Sequence, residues 1–267
     1  MGRRRQGEAL PAAAPDTVNA LTRGLDVLGC FRRGDRALGN QEIAARVRLP
    51  RSTVSRLTAT LTRAGWLLHL PEAQRYRLGP AAIALGGAAL GGLDIRGIAR
   101  APMQELAQAM RAVVALGMRD RLSMLYLEVV RSDAPISLNL EAGSRISLAF
   151  SAMGRAWLAA APAAEREEAM LRLRELDDGA WPRIEAGIAR ARQDAATIGV
   201  CCSFGEWQDG VNAIATAFRP GDGLPPMVLN VGAPAFLASP ERLLDEARPA
   251  LLALATRLEG VLDVGPD

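Results

Sequence analysis

Residues 39–66 read GNQEIAARVRLPRSTVSRLTATLTRAGW, two short amphipathic segments separated by an Arg-Leu-Pro turn. That layout predicts a helix-turn-helix, whose second helix is shaped for the DNA major groove. The first helix is expected over about residues 41–47, with Ile43, Ala44 and Val47 inward. Glu42 falls in its first turn, where a carboxylate complements the positive end of the helix dipole. Arg48-Leu49 make the turn, and Pro50 suits the first helical position because its missing N–H has no partner there. In the second helix Val54, Leu57 and Leu61 fall on one side. A step of ~100° per residue puts Ser52, Arg56, Ala59 and Arg63 opposite, with Ser55 on a flank. Arg51, Ser52, Ser55 and Arg56 are therefore the expected base readers, since Arg bonds guanine bidentately and Ser donates or accepts. Thr53 is expected on phosphate.

Working outward, Leu67, Leu68 and Leu70, then a turn over residues 71–74, then residues 75–79 read as strand, turn and strand. A basic hairpin after a recognition helix is a wing, and Arg75 and Arg77 are expected to clamp the backbone beside the groove. A bare helix pair with a solvated polar face fits the same pattern, but the wing and the charge distribution favour DNA. Residues 1–80 hold 14 Arg against six acids, a net of +8, whereas residues 81–267 hold 18 Arg against 23 acids, a net of −5. Phosphate attraction is thus confined to one end. All 32 cationic residues are Arg, with no Lys. This looks like genome-composition bias and says nothing about any single site. On the N-terminal side, residues 17–31 are expected to form the first helix, with Val18, Leu21, Leu25, Leu28 and Phe31 inward.

The 267 residues, 49% hydrophobic and 23% charged, leave room for two domains. Aromatics are 4%, so cores must be built from Ala, Val, Leu and Ile. No apolar run reaches the ~20 residues that span a bilayer, and residues 1–16 have no apolar stretch of the signal-peptide kind; a disordered tail and a cytoplasmic protein without membrane contact are expected. Three cysteines suit a reducing compartment. Cys30 is expected in a core. The adjacent Cys201 and Cys202 read as half-buried strand residues, with a redox sensor as the alternative.

Residues 80–94 are small-residue helical sequence with paired glycines, expected as a connector. Asp94 is expected to cap a helix carrying Ile95, Ile98, Met103, Leu106 and Met110, kinked or restarted at Pro102. The period then changes. Strands are expected at 113–118, 124–130, 136–140 and 146–150, then helices at 152–161, 162–175 and 182–196. Strands at 211–218 and 227–231 follow, and one closing helix over 240–261, capped by Ser239. Strands bracketing a helical block give an α+β fold with an antiparallel sheet. Catalysis is not expected. The single histidine, His69, lies in the wing, which removes His-based triads and His-rich metal sites. Glu206 and Asp209 read as surface-loop carboxylates, and no phosphate-cradling glycine motif occurs.

VNALTRGLDVLGCF, QEIAARVRLPRSTVSRLTATLTRAGWL, RYRLGPAAIALG, SAMGRAWLAA, GVCCSFGEWQDGVNAIATAF and LNVGAPAF occur in this order. On these motifs, from about Val18 to Glu259, the chain resembles the isocitrate lyase regulator (IclR) family of bacterial transcription factors. The resemblance implies a winged helix-turn-helix over 17–79, a linker helix used in dimerisation over 80–94, and a GAF-like effector-binding domain over 95–267. It implies a homodimer or dimer of dimers on a near-palindromic operator in double-stranded DNA, released or recruited by a small organic or aromatic acid, with no cofactor or metal. Repression of a catabolic operon is the expected role, activation the alternative. From another class, a sensor or interaction protein without sequence-specific DNA binding stays open. By motif position the effector lining would be Met153, Gly154, Ser203, Ala213, Asn230 and Gly232. N–H groups at a helix start attract a carboxylate, and Gly154 would admit a ligand close to the backbone.

Overall fold

The computed structural model describes residues 18–263, except Arg33, residues 134–137, Asn139 and Asp222. The expected N-terminal tail lies outside these residues, as does most of the strand expected over 136–140. The chain divides into two units, the first ending at Gly92 and the second beginning at Leu93.

The first unit contains α1 (Asn19–Gly29), β1 (Leu38–Gly39), α2 (Asn40–Val47), α3 (Arg51–Arg63), β2 (Leu67–Leu70), β3 (Arg75–Leu78) and α4 (Pro80–Gly91). The three strands form one antiparallel sheet in the order β1-β3-β2. Val27, Leu38, Ile43, Val54 and Leu67 make the core. The α1 face differs from expectation. Gly24, Val27 and Cys30 face inward, while Val18, Leu21 and Leu25 are 66%, 62% and 53% exposed. The apolar arc of α1 is wider than the core it meets, and the helix is turned by about 100° so that one edge stays uncovered. Pro50 is the cap and not the first helical residue: its ψ is 143°, and its carbonyl accepts from the Val54 N–H at 3.1 Å. Thr58, polar yet fully buried, donates its hydroxyl to the Val54 carbonyl at 3.0 Å and lies 3.2 Å from Asn40 Oδ1, across α2 and α3.

The second unit contains α5 (Asp94–Met110), β4 (Val113–Asp120), β5 (Ser123–Arg131), β6 (Arg145–Ser147), α6 (Ala152–Ala160), α7 (Ala163–Leu176), α8 (Trp181–Ile198), β7 (Cys201–Phe204), β8 (Val211–Phe218) and β9 (Met227–Pro234). The chain closes with α9 (Pro240–Arg242), a π-helical turn Leu243–Ala247 and α10 (Arg248–Leu258). Six strands pair antiparallel in the order β6-β5-β4-β9-β8-β7. One face packs on α5 and α10, through Val114, Leu116, Leu229 and Val231. The other packs on α6 and α8, through Ala115, Ala215 and Val228. Alternation along β4 and β9 thus divides the strands between two cores.

The second unit departs from expectation at several points. α5 runs unbroken through Pro102; the carbonyl that this proline leaves free belongs to Ile98, which is exposed and not inward. Its cap residue is Leu93, with Asp94 in the first turn. β6 stops at Ser147 because the Ser147 hydroxyl accepts from the Phe150 N–H and the Ser147 carbonyl from the Ser151 N–H, closing a turn. The closing helix widens before Pro249, which has no N–H to give, and the Arg248 N–H reaches Leu243 five residues back. Ser239 caps the start, its hydroxyl accepting from the Arg242 N–H.

One irregularity in the sheet redirects side chains between the two cores. The β4–β5 register shifts between Leu116, opposite Glu128, and Gly117, opposite Tyr126. Leu127 is the extra residue of a β-bulge. Tyr126 therefore packs with the α6 core, while Leu127 packs with the α5 core and Glu128 ion-pairs with Arg96 and Arg100 of α5. In a regular strand Tyr126 and Glu128 would share a face.

Candidate nucleic-acid interface and ligand cavity

The α3 helix begins at Arg51 and buries Val54 and Thr58. This fixes its phase, so Arg51, Ser52, Ser55 and Arg56 are all exposed and Thr53 is half-buried. Arg51 and Arg56 make no ion pair among the described residues. Ala59 and Arg63 continue the same open side.

The two wing arginines differ. Arg77 is exposed on β3. Arg75 donates to the Ala37 carbonyl at 2.9 and 3.1 Å and pairs with Glu42 at 2.6 Å. Glu42 also accepts from the Gly39 N–H at 2.8 Å, and that bond first, with Arg75 behind it, holds the carboxyl below the usual glutamate range. The geometry expected to clamp phosphate instead fastens the wing to the start of α2. Arg46 is likewise engaged, with Asp35 and the Cys30 carbonyl. His69 stacks on Tyr76 across the hairpin with ring centres 4.9 Å apart.

In the second unit the sheet register sets Ser203 of β7, Ala213 of β8 and Gly232 of β9 side by side. Asn230 lies one pleat along β9, and all four line a cavity together with Ser151 and Ala152 at the start of α6. Tyr126, Ile146, Trp207 and Val211 complete much of the wall. Its free space is about 310 Å³ with the mouth included, yet it has room for at most about one water.

Met153 and Gly154, expected in the lining, lie elsewhere. Met153 is fully buried, its sulfur 2.7 Å from where a Cβ on Gly117 would stand. A Cβ on Gly154 would stand 2.1 Å from the Leu148 carbonyl oxygen. That glycine admits the chain's own backbone and not a ligand. The helix start does reach the cavity, but one step earlier. Ser151 caps α6, accepting from the Gly154 N–H at 3.0 Å and donating to the Ser147 carbonyl at 2.6 Å. Ser203 donates to the Phe150 carbonyl at 2.8 Å.

A side chain that the sequence did not mark holds one wall. Arg155, 1% exposed, donates twice to Glu206, at 2.8 and 2.6 Å, and to the Cys202 carbonyl at 2.9 Å. Arg190 also pairs with Glu206 at 2.9 Å, and Arg183 donates to the Glu206 carbonyl. The hydrogen bonds from Arg155 hold the Glu206 carboxyl below its ordinary range. Gly187 leaves room for this guanidinium, since a Cβ there would stand 2.6 Å from Arg155 Nη2. The ion-pair cluster fixes the loop that carries Trp207. Cys201 is buried and Cys202 half-buried, and burial pushes their thiols up to about 12 and about 11. Neither is a thiolate at neutral pH, so neither has the character of a reactive cysteine. No cluster of metal-ligating side chains occurs among the described residues. No single helix among them is long and apolar enough to cross a membrane.

A winged helix-turn-helix with an open basic face, joined to a separate sheet-and-helix unit with an internal cavity, defines a DNA-binding transcriptional regulator. The sequence matches the IclR helix-turn-helix domain over residues 20–71 and the C-terminal domain of bacterial IclR transcriptional regulators over residues 87–259. It is 33% identical to the HTH-type transcriptional regulator TsaQ1/TsaQ2 of Comamonas testosteroni, covering 85% of this chain and 82% of that protein. An IclR family transcriptional regulator from Brucella abortus superposes with a TM-score of 0.83 at 40% identity, covering 94% of both chains. An IclR homologue from Microbacterium hydrocarbonoxydans, crystallised with 4-hydroxybenzoate, gives a TM-score of 0.68 at 25% identity, over 90% of this chain and 98% of that one. The chain belongs to the IclR family, whose members are regulators of transcription and not enzymes.

Proposed function

We propose that this chain is a homodimeric repressor of catabolic genes, released or retained on its operator by a small organic or aromatic acid. The observation that carries the DNA part is the joint exposure of Arg51, Ser52, Ser55 and Arg56 on one side of α3, with no acid among the described residues neutralising the two guanidiniums. Two such helices in a symmetric dimer require a near-palindrome with half-sites about one turn, ~10 bp, or a multiple apart. Footprinting over the chain's own upstream region at modest ionic strength tests this. Two protected half-sites are expected, and folded protein that protects nothing would refute it. Transcription from the same template, lowered by the protein, separates repression from activation.

Dimerisation is supported by uncovered apolar surface. α4 reads PAAIALGGAALG, without a charged residue or a buried one, and Ile83 and Leu85 are 73% and 59% exposed. A second copy is the partner that this surface fits, and Ile83→Glu should raise the monomer fraction in sedimentation. The acid effector is supported by Ser151 and Ala152 of the α6 start in the cavity wall, where N–H dipoles favour a carboxylate. The aromatic acid named for the Microbacterium homologue is of the same chemical class. A ligand shifts operator occupancy only as far as it prefers one dimer geometry. Residues 80–93 are the covalent route between the two units. One residue inserted there should disturb DNA binding and leave ligand affinity alone.

A further inference from the structure

The hydroxyl-bearing residues that line the cavity are not equivalent. The Ser203 and Ser151 protons are engaged with the Phe150 and Ser147 carbonyls, so these side chains offer lone pairs and no donor. Tyr126 is 1% exposed and lines the cavity, and its hydroxyl has no hydrogen-bond partner among the described residues. A buried hydroxyl without a partner opposes folding, and an acceptor entering the cavity would satisfy it. The bulge at Leu127 is what turns this residue to the α6 side.

The same wall offers other neutral donors. In the first turn of α6 the Gly154 N–H is taken by Ser151 Oγ, and the N–H of Ala152, which lines the cavity, has no acceptor within the helix. Asn230 adds an amide. No Arg, Asp or Glu lines the cavity among the described residues, because Arg155 is turned to Glu206. The apolar part of the wall is Leu140, Ile146, Val211 and Trp207.

We propose that Tyr126 sets which acids the cavity accepts, its phenol donating to an oxygen of a monocarboxylate with an apolar body. The inference rests on the cavity being the effector site. One carboxylate is satisfied by a phenol and backbone dipoles, whereas a second buried charge needs a cation that the wall lacks. Di- and tricarboxylates are therefore excluded. Burial raises the phenol far above the usual tyrosine range, which keeps it a donor at any pH the fold tolerates. Because the cavity has room for at most about one water, entry of a ring requires its wall to move.

Full-length wild-type and Tyr126→Phe protein are titrated calorimetrically with benzoate, 4-hydroxybenzoate, phenylacetate, succinate and citrate, and melted without ligand. Wild type should bind at least one aromatic monocarboxylate and neither succinate nor citrate. Tyr126→Phe should weaken that binding roughly tenfold or more while melting at the same temperature or higher. Equal aromatic binding by both proteins removes Tyr126 from recognition and leaves the effector reading intact. Preference of wild type for succinate or citrate overturns the charge argument. Folded wild type that binds none of the five overturns the cavity reading itself. A fall of several degrees in unliganded Tyr126→Phe gives the phenol a structural partner and ends the inference whatever the ligand result.

Discussion

Arginine on α3 and arginine in the second unit have opposite roles, and the presence of a nearby carboxylate separates them. On α3, Arg51 and Arg56 have no described acid beside them and stand open to solvent, while Arg46 and Arg75, a few ångströms from Asp35 and Glu42, hold the same unit together. In the second unit, Arg96 and Arg100 meet Glu128 and Arg155 meets Glu206, so the charge is consumed inside the fold and the cavity wall is neutral. A unit that reads phosphate keeps cations unpaired; the second unit turns these cations onto its own carboxylates and leaves a cavity wall without charged side chains among the described residues.

The largest expected effect comes from breaking the paired side of this contrast. Arg155→Ala leaves Glu206 without its main partner in a half-buried setting and should destabilise the second unit by about 3 kcal/mol. Calorimetry should show one of two unfolding transitions moving, and an unmoved thermogram would mean that the pair contributes nothing. Arg155→Lys should recover only part, because an ammonium cannot reproduce the two-pronged contact.

Next in size is the unpaired side. Arg56→Ala should cost ~1–3 kcal/mol on the operator and relax base preference, and an equal loss on random DNA would make it a phosphate contact only. Arg77→Ala should weaken all sequences alike and lower the salt slope by about one. Arg75→Ala should differ from both, lowering the melting temperature of the first unit as well as DNA affinity.

Acidification sharpens the same division more gently. Glu206 and Asp35 both titrate below their ordinary values, first because Arg155 and Arg46 respectively hydrogen-bond to them. Their stabilisation is complete above the ordinary carboxylate range and is lost as pH falls through the lowered values. Melting temperature measured from about pH 6 down to about pH 3 should fall in both units, and Glu206→Gln should flatten the slope in the second only.

Much of this was legible in the chain. Period and turn residues located the helix-turn-helix, the wing and most strands, because those signals are local. Ser203, Ala213 and Gly232 were named together from motif position, and the sheet register sets them side by side. Four things were not legible, each for a physical reason. The setting of α1 depends on how wide a core it meets, and its apolar arc exceeded that width. The phase of α6 against the cavity depends on the turn closed by Ser147 and Ser151, which moved the contact from Met153 and Gly154 to Ser151 and Ala152. The Arg155–Glu206 pair joins residues 51 positions apart, beyond any local pattern. Tyr126 escaped notice because the bulge that aims it has no composition of its own.

That single inserted residue in β5 gives the sheet a kind of insulation. Chemistry on the chamber side and anchoring on the opposite side are served by neighbours in sequence, yet neither is exposed to the other's environment. A substitution at Tyr126 thus leaves Glu128 tying the sheet to α5. Deleting Leu127 would fuse the two duties, swinging a carboxylate beneath α6 and leaving two guanidiniums stranded.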